Sequence, residues 1–255
     1  MERRTAQQRA ALRLIFQNPL SSLNPRVTVR SALMRPLQKF AGLSKREAQV
    51  RAVELLAAVG LDPSNLDRLP SELSGGQLQR IALARALSAN PAVVVADEAV
   101  SALDVSVQAQ VLNLLRDVQE EHGTSYIFIT HDLGVVRYIS DRIIVLYAGH
   151  MVESGPADAI VNAPYHPYTE ALLSAVPLID VEEPPTRIRL EGTVPSLRSA
   201  FAGCPFASRC PRKIGPICED TPPPTLASPA ADGHTILCHI PWSELEKLQR
   251  PSATT

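Results

Sequence analysis

Nowhere does the 255-residue sequence read Gly-x-x-x-x-Gly-Lys-Ser/Thr, the loop whose backbone amides wrap phosphates while its lysine reaches the outer ones. The first glycine is Gly42, and no glycine pair with that spacing precedes a lysine. Any handling of a nucleoside triphosphate must rest on other residues. Long apolar runs are missing too: segments such as Ala92 to Ala96 and Tyr126 to Ile129 fall far short of the roughly 20 residues that cross a bilayer, so membrane association is expected to be peripheral. Neither sign of charge prevails. Twenty-five basic residues face 26 acidic ones, for a net charge of -1, which leaves no global field to recruit nucleic acid or anionic lipid. The first eight residues are polar and charged without an apolar segment, so no signal peptide is expected and the protein is placed in the cytosol.

Proline divides the chain, with seven of its 22 before residue 164 and fifteen from Pro164 onward. The first part reads as regular structure and the second as irregular. Leu12 to Phe16 has the look of a strand, and Val27 to Phe40 reads as helix with a kink or break at Pro36. Ser44-Lys45-Arg46-Glu47 has capping-box form, Val50, Val53, Leu56 and Ala57 recur at helical spacing, and Gly60 supplies a stop. From Ala92 short β-branched runs alternate with helices: Ala92 to Ala96, Val105 to Glu121, Ser125 to Thr130, Leu133 to Ile139 and Arg142 to Tyr147. That alternation predicts a parallel sheet with covering helices, and its runs lack period-two patterning, as strands covered on both faces should. A hairpin and two short helices are expected after Gly149.

Two clusters carry chemistry. Asp97 and Glu98 close an apolar strand, where an acidic pair can meet a metal and a nucleotide at the carboxyl end of a parallel sheet. Leu73-Ser74-Gly75-Gly76-Gln77 opens an apolar-periodic helix. Free amides and the positive helix end there are suited to a phosphate, and the two glycines permit close approach.

Together with Ser101-Ala102-Leu103-Asp104 and Thr130-His131-Asp132, these runs resemble the signature motif, Walker B strand, D-loop and switch histidine of ATP-binding cassette (ABC) ATPases. Phe16-Gln17-Asn18-Pro19 looks like their Q-loop. The resemblance implies an α/β, partial P-loop NTPase-type sheet with a helical subdomain at about residues 20–90. In the roles it implies, Glu98 is the general base, His131 contacts the γ-phosphate, Gln17 touches Mg²⁺ and the attacking water, and Asp97 serves Mg²⁺. Ser74, Gly75, Gly76 and Gln77 would act on the ATP of a facing cassette, and Asp104 would communicate across the dimer. Ala99 departs from the family pattern, which has proline after the glutamate, without removing a chemical group.

A narrower likeness, to the ATPases of oligopeptide and dipeptide importers including nickel relatives, rests on three runs. They are Asn24-Pro25-Arg26, Val105 to Leu112, and Tyr165-His166-Pro167-Tyr168-Thr169 with Ala171-Leu172-Leu173. It implies a cassette part over residues 1–155 and an irregular, cysteine-containing C-terminal extension over 156–255. Its partners would be inner-membrane permease subunits, a second ABC ATPase and, indirectly, a peptide-binding protein, at the cytoplasmic face of the membrane and without nucleic acid. Chromosome- or translation-associated cassettes share the signature motif but should lack the Tyr165 to Thr169 segment and the cysteines. His166, between tyrosine and proline, reads as part of a rigid packed turn rather than as a ligand.

Cys204, Cys210, Cys218 and Cys238 all lie in the extension, separated by five, seven and nineteen residues. Stable disulfides are disfavoured in the cytosol. Three alternatives stand: an iron–sulfur cluster with Arg209, Arg212 and Lys213 offsetting its charge, a zinc site helped by His234 or His239, or reduced structural thiols. The same tail looks like that of importer ATPases, some of which carry such a cluster. The missing phosphate loop has three readings as well. The chain is a truncated piece of an ordinary ATPase, or a subunit lending its signature helix to a partner's ATP, or a non-enzymatic binding protein that keeps permease contact.

Overall fold

The computed structural model describes residues 5–176, 187–196 and 200–249. The chain divides into two compact units, Met1–Asp132 and Leu133–Thr255.

The first unit contains α1 (Ala6–Ala11), β1 (Leu12–Ile15), α2 (Val29–Phe40), α3 (Lys45–Ala58), α4 (Gly75–Leu87), β2 (Val93–Asp97), α5 (Val105–His122) and β3 (Ser125–Ile129). Local chemistry sets the ends of these helices. At α3 the Ser44 amide donates to Glu47 Oε2 at 2.8 Å and the Glu47 amide to Ser44 Oγ at 3.3 Å, the reciprocal cap its sequence announces. Gly60, at φ 67°, reverses the chain after that helix, and its amide and that of Leu61 take up carbonyls of the last turn. Pro36 lies inside α2 without ending it. Of the expected kink or break, the break is absent: α2 runs on to Phe40 with Leu33 and Leu37 buried and packs on α3 and α4, and packing outweighs the lost backbone donor. Helix α1 had no apolar periodicity to announce it, yet it carries its own capping box between Thr5 and Gln8.

The three strands form a parallel sheet in the order β1-β2-β3. Its central strand puts Val94 and Ala96 into the core, and α4 packs against β1. The fifth predicted run departs from expectation. Arg142–Tyr147 does not extend the parallel sheet but begins an antiparallel one, because a tight turn at Ala148-Gly149 folds it back on the next segment.

That second unit holds α6 (Leu133–Ile139), β4 (Arg142–Tyr147), β5 (His150–Pro156), α7 (Ala157–Ile160), α8 (Pro167–Ser174), α9 (Ile217–Asp220), β6 (Thr225–Ala227), β7 (Thr235–Leu237) and α10 (Trp242–Gln249). Its sheet runs β4-β5-β7-β6, every neighbour antiparallel. β4 alternates between exposed and buried side chains, as a strand covered on one face does. Phe206 is fully buried among Tyr147, Val152 and Ile160, with Tyr147 edge-on to its ring at a centroid distance of 5.0 Å and Tyr168 tilted against it at 5.3 Å. The proline-rich tail is therefore more regular than its composition implies, since short strands and helices are fixed by this cluster and by the sheet.

Candidate functional site

Glu98 is the residue just past β2, and its amide still donates to the Ile129 carbonyl of β3 at 2.9 Å. It sits at φ 47°, a backbone region uncommon for a residue with a side chain and held only where its surroundings over-determine it. Here the hold is visible: the Ser101 hydroxyl donates to the Glu98 carbonyl at 3.0 Å, closing the turn that follows the strand. The carboxylate is thereby presented at the carboxyl end of the parallel sheet, where such folds bind ligands.

Two distant residues meet it. The Gln17 amide, on the loop after β1, donates to Glu98 Oε2 at 2.7 Å. His131, on the loop after β3, places Nδ1 3.2 Å from Glu98 Oε1. All three loops follow adjacent parallel strands, which is why residues 81 and 33 positions from Glu98 in sequence converge on one carboxylate. With Nδ1 turned to the carboxylate, the imidazole has Nε2 left for another partner, and its side chain is largely exposed. Asp97 pairs in register with Ile129 at the end of β2 and is half-buried.

The glycine pair forms a second patch. Ser74 and Gln77 cap α4 reciprocally, the Ser74 amide to Gln77 Oε1 at 2.9 Å and the Gln77 amide to Ser74 Oγ at 3.3 Å. Each side chain accepts one bond at the helix end and keeps its donor, the Ser74 hydroxyl and the Gln77 amide nitrogen, beside the backbone amides of the first turn. A side chain on Gly75 would meet nothing within 4 Å, while one on Gly76 would touch the Ala102 carbonyl and Leu103 at 3.6 Å. The first glycine thus leaves open space at the helix start, and the second lies against the Ser101–Asp104 turn. Asp104 caps α5, accepting from the Ser106 hydroxyl at 2.6 Å and the Val107 amide at 3.0 Å. The Ser106 hydrogen bond, with that of Val107 behind it, holds its carboxyl below the usual range.

In the second unit the cysteines and the expected charge partners take other roles. Cys218 and Cys238 are buried, Cys204 and Cys210 half-buried, and the Cys204 amide donates to the Cys218 carbonyl at 2.8 Å. Burial pushes the Cys210 thiol up to about 12 and the Cys238 thiol to about 11, with neighbouring cysteines adding to the effect. Among the described residues no group of three or more His, Cys, Asp or Glu side chains is arranged to hold a metal ion. His234 instead meets Glu153 at 2.8 Å and His239 the Thr221 carbonyl at 2.9 Å. Arg212 is engaged bidentately by Glu170 at 2.7 and 2.6 Å, Lys213 by Glu219 at 2.7 Å, and Arg209 by the Glu191 carbonyl at 3.0 Å. The arrangement lends neither the iron–sulfur nor the zinc expectation support.

Sequence reading missed a buried polar centre. Glu153 on β5 is fully buried and accepts from the His166 amide at 3.0 Å and from the Thr169 hydroxyl, besides meeting His234. A lone glutamate in an otherwise ordinary strand carries no signal of this. His166 itself is 1% exposed and leans on Phe206.

The parallel sheet, the acidic strand end and the glycine-led helix define the α/β fold of the ATP-binding cassette, a P-loop NTPase-type sheet accompanied by a helical subdomain and a cysteine-containing extension. Comparison with known proteins agrees. The "ABC transporter" family model matches residues 1–101, and that of "Oligopeptide/dipeptide transporter, C-terminal region" matches residues 152–218. A probable peptide ABC transporter ATP-binding protein of Sinorhizobium fredii is 47% identical over 232 residues, covering 91% of this chain and 65% of its own length. The dipeptide transport ATP-binding protein DppF of Escherichia coli is 50% identical over 84% of this chain and 64% of its own. The oligopeptide transport ATP-binding protein AppF of Bacillus subtilis is 47% identical over 91% and 70%. Among solved structures, the cassette MJ0796 as a dimer bound to ADP and Pi after hydrolysis matches with a TM-score of 0.55 and 34% identity, over 60% of this chain and 65% of that one. The chain belongs to the ABC transporter family, in its branch of peptide-transport ATP-binding proteins. It spans just under two thirds of the length of the S. fredii and E. coli relatives.

Proposed function

We propose that the chain is the ATP-binding part of a subunit that couples ATP hydrolysis to the import of short peptides through an inner-membrane permease. The observation that carries this reading is the convergence of Gln17 and His131 on the Glu98 carboxylate, at 2.7 and 3.2 Å. Phosphoryl transfer asks a protein chiefly for positioning and charge stabilisation, and this trio is built for both. Glu98 accepts the proton of a water placed for attack. Gln17 holds one carboxylate oxygen still and presents its own amide oxygen to that water or to a cation. His131, steadied through Nδ1, leaves Nε2 for the nucleotide.

Asp97, at the same strand end, is the residue to hold Mg²⁺, and the open amide end of α4 suits a phosphate. The donor set therefore fits ATP and Mg²⁺. The metal, when bound, screens the charge of the phosphates. In the head-to-tail arrangement of cassettes, the Gly75 and Gly76 amides serve the nucleotide of the facing subunit, and Asp104, fixed as the cap of α5, carries the turn that adjoins Gly76.

The assignment of residues 1–155 to the cassette, about 20–90 to its helical subdomain and 156–255 to the extension follows from the same reading. So do a place at the cytoplasmic face of the membrane beside permease subunits, pairing with a second cassette ATPase, and an indirect link to a peptide-binding protein. Because these 255 residues hold no Gly-x-x-x-x-Gly-Lys-Ser/Thr, a second reading stands beside the first: a subunit that contributes its signature helix to a partner's ATP and hydrolyses none itself. Glu98→Gln in the reconstituted transporter separates them. At a working base the change removes proton acceptance while keeping shape, so hydrolysis should fall at least about 100-fold and an ATP-bound dimer should accumulate. Unchanged turnover would mean that this Glu98 is not at a working site.

A further inference from the structure

Three helices of the first unit leave a cleft of about 220 Å³ where their last turns draw together, α3 at Ala58, α4 at Leu87 and α5 at Glu121 and His122. None of Gln17, Glu98 and His131 lines it. Its floor is apolar: Leu55, Val59 and Leu87 are buried, Leu114 and Val118 half-buried. Its rim is acidic. Glu54, Asp117 and Glu121 stand there exposed, and the one lysine or arginine among the lining residues, Arg51, is already taken by Glu54 at 2.9 Å. Glu121 meets the His122 ring at 3.8 Å, and Asp117 meets no cation among the described residues. Asp117 and Glu121 lie one turn apart on α5, so their carboxylates share a face. The last turn of that helix holds no lysine or arginine, and the partial negative charge of its end adds to theirs.

Size and charge choose the occupant. The cleft is smaller than the roughly 300–1,000 Å³ of sites that enclose a whole small-molecule ligand, and it suits one long side chain. Its floor asks for an aliphatic stem and its rim for a cationic head, the two halves of a lysine or an arginine. The guanidinium is flat, less strongly hydrated than an ammonium and able to fork onto carboxylates, which matches a rim with two of them side by side. We propose that the cleft between α3, α4 and α5 is a docking site for an arginine carried by a basic segment of a partner protein, its stem on Leu55, Leu87, Leu114 and Val118 and its head at Asp117 and Glu121. Such a segment holds the far ends of α4 and α5, the helices whose first turns carry Gly75, Gly76 and the Asp104 cap. No step at Glu98 enters this assignment, so it stands or falls apart from the functional reading.

The test is titration calorimetry of the full 255-residue chain with the end-blocked peptide Ala-Arg-Arg-Ala-Arg-Ala and with a copy carrying citrulline at each arginine, which keeps the shape and removes the charge. Expected is saturable one-to-one binding that the citrulline copy weakens at least about tenfold. Asp117→Asn should weaken it about fivefold, whereas Glu120→Gln, an equal change of charge on α5 outside the cleft, should leave it as it is. Ala58→Phe fills the space from an exposed position and should abolish binding. All three substituted residues are exposed, so no core side chain is lost, and circular dichroism verifies that the fold is kept. A chain that binds neither peptide overturns the proposal, as does a citrulline copy bound equally well. Binding indifferent to Asp117→Asn or Ala58→Phe, or weakened as much by Glu120→Gln as by Asp117→Asn, overturns it too. Free L-argininamide bound as tightly as the peptide would make a small organic cation the ligand and remove the partner segment.

Discussion

Acid should unfold the second unit sooner than its net charge implies, and His166 is the reason. The ring is 1% exposed, its Nδ1 accepts the Tyr168 amide at 3.1 Å as the cap of α8, and it hydrogen-bonds the Leu237 backbone. Burial lowers its pKa from 6.5 to about 3, outweighing the Leu237 contact, which acts the other way. Above the unfolded value the ring is neutral in both states and pH has no leverage. Below it the unfolded chain takes up a proton that the folded chain refuses, so stability falls as pH falls. Between about pH 7.5 and pH 5 the loss from this one group is about 2 kcal/mol. The assay is urea unfolding followed by the emission of Trp242, the single tryptophan of the sequence, whose ring packs edge-on to His234 at 5.0 Å. His166→Asn supplies the control, because asparagine caps a helix well and does not titrate. The variant should lose about 2 kcal/mol less than the wild type over the same interval. Equal losses in the two proteins, or a wild type whose stability is flat from neutral to acid, would refute the reasoning.

Two further outcomes follow from the second unit. Glu153→Leu leaves the His166 amide, the Thr169 hydroxyl and His234 buried without their shared acceptor, so it should cost about 3–5 kcal/mol, read from the same unfolding curves; a loss under about 1 kcal/mol would show that the network relaxes or admits water. Cys210 and Cys238, pushed up to about 12 and about 11, should resist iodoacetamide at about pH 8 in the folded chain and react at the free-thiol rate in urea, since the thiolate is the nucleophile. Alkylation of both at the free rate without denaturant would contradict their burial.

Much of this protein was legible in its residues because the deciding interactions are local. Ser44 and Glu47, or Ser74 and Gln77, lie three residues apart and cap a helix whatever surrounds them. The Gly60 stop works through its own positive φ. The family resemblance singled out Gln17, Glu98 and His131, and the parallel register brings them within hydrogen-bonding reach. The family, and with it the fold class, was readable from five short runs in order.

Tertiary structure decided what depends on neighbours far away in sequence. Arg142–Tyr147 looked like one more buried parallel strand, yet it pairs antiparallel with β5, because a strand's direction of pairing is set by the turn and by its partners rather than by its own apolar pattern. Pro36 stays within a helix because the packing of α2 makes up for the missing donor. Glu153 becomes the hub of a buried network through His166, Thr169 and His234, residues as far as 81 positions away. The cysteines that count and spacing offered to a metal are buried or half-buried, and their expected cationic neighbours pair elsewhere. Local chemistry fixes caps, turns and motifs, whereas burial and partnership are properties of the packed chain.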